Sequence, residues 1–180
     1  MKKKILLIGP KPPPLGGARI AFDLLCKKSN LFSGHYHISF INIPLFRNNF
    51  LKNIFFRLTM LIRIFFKIPF HNFIILHSSA NFLFYIGPLI ISYSKFFNKK
   101  IQIRFFGSKI DLLLNNKPNV KKKILSADQI LLETKGLIKN FQKDFDHKGL
   151  IWFPNSRKIN HSEPKFPLQL KKIIYVGQLK

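Results

Sequence analysis

Short apolar runs alternate with helix-period stretches along almost the whole chain, and this alternation decides the fold. The runs KKILLIG at 3–9, YHISFINIP at 36–44, NFIILHS at 72–78, KKIQIRFFG at 99–107, DQILLET at 128–134 and GLIWFPN at 149–155 are predicted strands. Between them lie predicted helices: about 18–28, about 48–67, the stretch NFLFYIGPLIISYSKFF, the pieces KIDLLLNN and NVKKKILSA split near Pro118, and KGLIKNFQKDF. The strands read as solid apolar runs rather than as in–out alternation. A strand of that kind is covered on both sides. The predicted fold class is therefore α/β: a Rossmann-like parallel sheet with helices on both faces.

A chain of 180 residues can build one sizeable core of this kind. From Ile68 to Ser94 no Lys, Arg, Asp or Glu occurs, a stretch long enough to suggest a membrane span. HSSAN at 77–81 and Gly87-Pro88 interrupt it, and NFIILHSS reads better as a buried strand ending in a turn. The start MKKKILLIGPK has the charge of a signal peptide, but its apolar part is too short and stops at Gly9-Pro10. Cys26 is the only cysteine, so no internal disulfide or thiolate metal cage can form, which fits a reducing cytoplasm.

The charge balance stands out. Thirty-one basic side chains against 7 acidic ones give a net charge of +24. Codon bias accounts for part of the Lys, Asn, Ile and Phe content, but not for the scarcity of Asp and Glu. A field of this sign attracts polyanions: nucleic acid, anionic lipid or phosphate-bearing substrates.

The stretch LLIGPKPPPLGGARIAFDLL, 6–25, concentrates the chemistry. In parallel sheets ligands sit outside the carboxyl ends of the strands, where the loop 10–17 falls. Gly16 and Gly17 let backbone amides approach an anion, and the following helix adds its positive end. Pro12, Pro13 and Pro14 restrict the loop before anything binds. A strand-to-helix turn with nothing bound is the alternative reading, and G-x-G-x-x-G is absent.

With these residues in view, the chain resembles the N-terminal half of a GT-B-fold glycosyltransferase, close to glycosyltransferase family 4. The matching pieces are KILLIGPKPPPLGGARIAFDLL, IQIRFFGSKIDLLL, ADQILLETKGLIKNF, WFPNSR and IIYVGQLK, spread over nearly the whole chain in the family's order. The resemblance implies a Rossmann-like acceptor-side domain over 1–156, a linker over 157–171, and at 172–180 the first strand of a second, donor-binding domain that continues beyond residue 180. It implies that Gly16 and Gly17 lie near the donor diphosphate. It implies a second cleft-lining loop at Phe106, Gly107 and Ser108. Relatives often carry histidine before that glycine; this chain has Phe106. Gln178 stands where relatives often have arginine. The implied activity is sugar transfer, with retention of configuration, from a nucleotide-sugar to a glycan or lipid-linked acceptor in surface polysaccharide or glycolipid synthesis. No cofactor or metal is expected, and this half alone is expected to be inactive.

Other residues give further expectations. At about 100° per residue, Lys52, Asn53, Arg57, Thr59, Arg63 and Lys67 share one arc of the helix 48–67, and Phe55, Leu58, Leu61, Ile62, Phe65 and Phe66 fill the other. The broad Leu/Ile/Phe side is expected to cover the sheet. The strip of Phe56 and Met60 beside Arg57 and Arg63 is expected to touch an anionic membrane surface, placing the protein at the inner face of a membrane. His77 ends a strand at the ligand edge, as an acceptor-pocket residue or a hydrogen-bonded structural one. Lys109 is the better placed of Arg104 and Lys109 to meet phosphate. Asp111 reads as a helix cap. His35 and His37 have no partners at ligand spacing, so no metal is expected. Ser79 and Ser108 show no Ser-His-Asp arrangement. One alternative is a basic α/β module binding nucleic acid, disfavoured because the Phe residues fall in core-like runs and no nucleic-acid motif occurs; the other, fed by the lone strand pattern at 173–177, is a truncated product without independent activity.

Overall fold

The structure, a computed structural model, describes residues 2–43, 50–106 and 114–154, with backbone alone at 50–53 and 78–80. Its elements in order are β1 (Lys3–Gly9), α1 (Gly17–Lys28), β2 (Tyr36–Asn42), α2 (Phe50–Lys67), β3 (Phe73–Ser79), α3 (Ala80–Tyr85), α4 (Gly87–Phe96), β4 (Lys100–Phe106), α5 (Pro118–Leu125), β5 (Gln129–Leu132), α6 (Lys135–Asp144) and β6 (Leu150–Trp152). The six strands form one sheet in the order β2-β1-β3-β4-β5-β6, and every pair is parallel. The predicted α/β class holds. The charge-free stretch 68–94 is divided among β3, α3 and α4. The last two separate at Gly87-Pro88, where proline enters as a first-turn residue of α4. Among the described residues no helix is long and apolar enough to cross a membrane.

Register explains the solid apolar strands. Ile41, Ile8, Leu76, Ile103, Ile130 and Leu150 face one another across all six strands. All six belong to one continuous core with residues from α2, α4, α5 and α6. On the opposite face the row one step back reads Phe40, Leu7, Ile75, Gln102 and Gln129. It is apolar where Phe22 and Cys26 of α1 cover it and polar where α1 ends. There the Gln102 amide donates to the Gln129 carbonyl oxygen at 2.7 Å.

Handedness distributes the helices this way. The chain leaves β1 toward β2, then returns past β1 to β3 and continues in that direction. Right-handed crossovers put the helix of the first step on one face and the helices of all later steps on the other. Helices therefore lie on both faces, but among the described helices α1 alone faces the small cluster.

Helix α2 is turned over relative to expectation. Met60, Ile64 and Ile68 point into the core, and Met60 is only 4% exposed. Phe55, Leu58, Ile62 and Phe66 face outward, with Phe66 74% exposed. The membrane contact read for Met60 is thus corrected: its side chain lies beneath the sheet, in a place worth about 1.5–3 kcal/mol per fully buried aliphatic side chain. Phe56, Arg57 and Arg63 stay exposed. The physical reason is reach. Arg57 and Lys67 carry long stems that let a charged head leave a buried arc, so a basic residue among apolar ones does not mark the wet side.

The expectations for the linker 157–171 and the strand 172–180 lie outside the described residues.

Burial of Met60 and exposure of Leu58 make opposite forecasts for stability. Met60→Ala should cost about 2–4 kcal/mol in urea unfolding, whereas Leu58→Ser should stay within about 0.5 kcal/mol.

Candidate functional site

The strand order reverses beside β1, so the loops after β1 and β3 leave toward opposite faces. Between them lies the place, outside the strand ends, at which ligands of such sheets bind in a crevice. Residues 10–16 form its β1 side.

Several bonds fix this loop. The Ile43 amide donates to the Gly9 carbonyl at 3.0 Å, and the Lys11 amide donates to Asn42 Oδ1 at 2.8 Å. Arg19, from the first turns of α1, reaches back beneath the loop. Its Nη1 donates to the Lys11 carbonyl at 2.8 Å and to the Pro13 carbonyl at 3.2 Å. Arg19 is buried, and burial lowers its pKa from the ordinary arginine value. The proline run is thus held just before it begins and at its middle residue, with a guanidinium as the tie.

Gly16 and Gly17 stand at the free end. The Gly16 carbonyl accepts from the Arg19 and Ile20 amides, both at 3.0 Å, opening α1. No side chain caps this helix and no acidic residue lies in its first turn. At α6, by contrast, Thr134 Oγ1 accepts from the Leu137 amide at 3.1 Å. The positive end of α1 therefore keeps amide donors that the protein does not use. Packing does not demand glycine at either position. A Cβ at Gly17 would meet nothing within 4 Å, and one at Gly16 only Arg19 Cδ at 4.0 Å. Gly9 is the contrast: a Cβ there would lie 2.5 Å from Phe22 Cδ2 and 2.7 Å from the His77 carbonyl oxygen.

His77 lies on the far wall but has no exposed surface. Its Nε2 meets the Ala18 carbonyl at 3.1 Å, and its ring packs against Phe22 and Phe106 at centroid distances of 5.1 and 4.5 Å. An acceptor-lining role for His77 is corrected accordingly: the side chain ties α1 to β3 from below the crevice. Burial, and secondarily the Arg104 charge, push its pKa down to about 3, so the ring is neutral at neutral pH. With Nε2–H donating to Ala18, the proton sits on that nitrogen.

Phe106, half-buried at the end of β4, covers His77. Arg104 is buried with its guanidinium between the rings of Phe106 and Phe153, at 4.7 and 4.4 Å from their centroids. It braces the β4 edge and is not presented to a solvent-borne phosphate. Gly107, Ser108, Lys109 and Asp111 lie outside the described residues.

The structure thus links the start of α1, beside Gly16 and Gly17, to Phe106 through the buried ring of His77. It sets Phe56, Arg57 and Arg63 apart, on α2. Sequence reading missed Arg19 and Asn42. A partial signal for Arg19 was there: it falls on the same arc of α1 as Phe22 and Cys26, which points its stem inward, while the loop carbonyls that keep its head inside are supplied by the fold. Asn42 left no such signal, because its partner is a backbone amide brought close by the fold. Among the described residues no three His, Cys, Asp or Glu side chains gather as metal ligands. Comparison of the chain with protein-family models and with the sequences of curated proteins gives no match.

Two outcomes follow from the crowding around His77. Gly9→Ala should lower stability by about 2–4 kcal/mol, because the added methyl must displace a ring and a backbone carbonyl. Acid should also destabilise the protein through His77. Below the ordinary value of 6.5 the unfolded chain takes up a proton that the folded ring refuses until about pH 3. The stability contributed is full above the ordinary value and is lost progressively as pH falls toward the folded one. His77→Gln, whose amide can still donate to Ala18, should show a shallower fall of the urea midpoint across that window. His71, also lowered by burial, keeps part of the slope in place.

Proposed function

We propose that the chain is the acceptor-side half of a nucleotide-sugar-dependent glycosyltransferase of the GT-B type. The observation that carries this reading is the uncapped start of α1 at Gly16-Gly17, with open space where side chains would stand, at the reversal point of a parallel sheet. An anionic group is the chemical complement of such a place.

Sugar transfer needs that complement. When the bond between the sugar and the nucleotide diphosphate breaks, negative charge gathers on the leaving phosphate oxygen. Amide hydrogens fixed in advance stabilise the charge without reorganising as it forms. Arg19 and the proline run hold the Gly16 and Gly17 amides still, and the first-turn amides of α1 add the helix dipole. The absence of side chains at both glycines allows the diphosphate to approach the backbone directly. The acceptor, a glycan or a lipid-linked sugar, would enter along the edge bounded by Phe106. The ring of His77, neutral and buried, is not assigned proton transfer. Its part is to hold α1 at the height that presents the amides.

The glycines admit a sharp test. Proline is accepted in the first turn of a helix, and Gly16, at φ 179° and ψ 150°, already has the extended backbone that precedes proline. Gly17→Pro therefore removes one amide donor and leaves the helix start intact. With uridine and guanosine diphosphates as probes, amide resonances of residues 16–18 should shift on titration. Gly17→Pro should weaken binding about tenfold, the usual scale for one hydrogen bond to a charged group. Unshifted resonances at 16–18, or unchanged affinity in a folded Gly17→Pro variant, would overturn the proposal.

A further inference from the structure

Turning α2 over leaves a large apolar surface uncovered. Phe55, Leu58, Ile62 and Phe66 line its outward arc, and all are about half exposed or more. The surface continues onto α4. Phe65 of α2 meets Tyr93 edge-on at 4.8 Å, and Tyr93 meets Phe97 at 4.9 Å. Beyond this seam Leu89 and Phe96 of α4 are exposed as well, Phe96 at 78%. Exposed apolar area spread over two adjacent helices marks an interaction surface.

Charge selects the occupant. No Asp or Glu occurs between Asp23 and Asp111, so α2, α3 and α4 carry none. Asp128 reaches α4 from outside and is paired with Lys95 at 2.7 Å. Exposed Arg63 lies about a quarter-turn round α2 from the apolar arc, with Lys67 beyond it. An apolar face bordered by cations and free of carboxylates complements an anionic lipid surface, with apolar side chains among the acyl chains and arginines at the headgroups. A second copy of this chain would bring a like-charged rim, from a molecule also at +24, within the range where salt does not screen it. We infer that the outer face of α2 and α4 docks on an anionic bilayer, with α2 lying along the interface. This inference stands independently of the glycosyl-transfer reading and shares no residue with the crevice.

Flotation of the full chain with vesicles tests it. Equimolar phosphatidylcholine and phosphatidylglycerol vesicles should carry the protein, and pure phosphatidylcholine vesicles should carry at least about tenfold less, since each basic residue near the surface adds a factor of several. The triple variant Leu58→Ser/Ile62→Ser/Phe66→Ser should keep its far-ultraviolet circular dichroism and lose at least about tenfold in binding to anionic vesicles. Arg63→Glu should weaken binding and leave melting unchanged. Equal binding to both vesicle types would overturn the inference. So would a folded triple variant that floats like the parent. Self-association of the parent that the triple variant abolishes, without vesicle binding, would assign the face to a dimer instead. A salt-sensitive gel shift with a random oligonucleotide, abolished by the triple variant and unaccompanied by flotation, would assign it to nucleic acid.

Discussion

The contact between Phe22 and the backbone of Gly9 fixes how closely the first helix lies on the first strand. Here β1, β3 and α1 meet with no room for one more carbon atom. Because glycine occupies that point, Phe22 can lie on the strand, and His77 can reach the Ala18 carbonyl from the neighbouring one. The start of α1 is thereby brought down to the carboxyl edge of the sheet. Everything at the crevice inherits its position from this approach: the loop tied by Arg19, the uncapped amides at Gly16 and Gly17, and Phe106 folded over the histidine ring. The adaptable part is the loop end, where packing makes no demand on either glycine.

Local pattern carries the fold a long way in this chain. Solid runs such as KKILLIG state that both sides of a strand are covered, and alternation with helices states that the strands are parallel. Strand order is a different kind of fact. Nothing in the sequence of β3 says that it pairs with β1 and not with β2. Handedness then follows from the order and, among the described helices, leaves α1 alone on its face. The polar residues Gln102 and Arg104 in an otherwise apolar β4 are the visible trace of that thin cover, and they are intelligible only once the order is known. The uncapped start of α1 was legible at Gly16 and Gly17, a glycine pair standing directly between a strand and a helix pattern. It was not legible at His77, where a strand-end position is compatible with facing a ligand or with supporting a helix. Depth decides between those, and a sequence does not record depth.

Helix α2 shows a second limit. Two apolar arcs lie on its surface, one broad and one threaded with basic residues. Counting apolar side chains favours the broad arc for the core. The sheet instead receives Met60, Ile64 and, just past the helix end, Ile68, which share one core with Ile8, Ile41 and Leu76, and the phenylalanines turn away. A helix with one apolar arc has a single sensible orientation. A helix with two can be placed only when the fold shows which arc the sheet receives, and the second arc is then left for another surface.

Scarcity of carboxylates shapes how this protein settles its cations. Lys27 and Lys95 find Asp23 and Asp128. Other lysines lie over rings: Lys11 over Phe40, Lys117 over Tyr85, Lys121 over Phe145 and Lys135 over Trp152. Buried Arg19 follows the same habit with two backbone carbonyls, while Arg104, set between two phenylalanines, also feels the negative charge of Glu133. A ring or a carbonyl stabilises a cation by about 0.5–2 kcal/mol without cancelling its charge. Ion pairing would have erased the long-range field; this arrangement orders the side chains and leaves the field in place. An abundance of phenylalanine and a net charge of +24 thus act together. The aromatic residues help a compact sheet to carry so many cations with few counter-charges, and the positive field is left to extend beyond the surface.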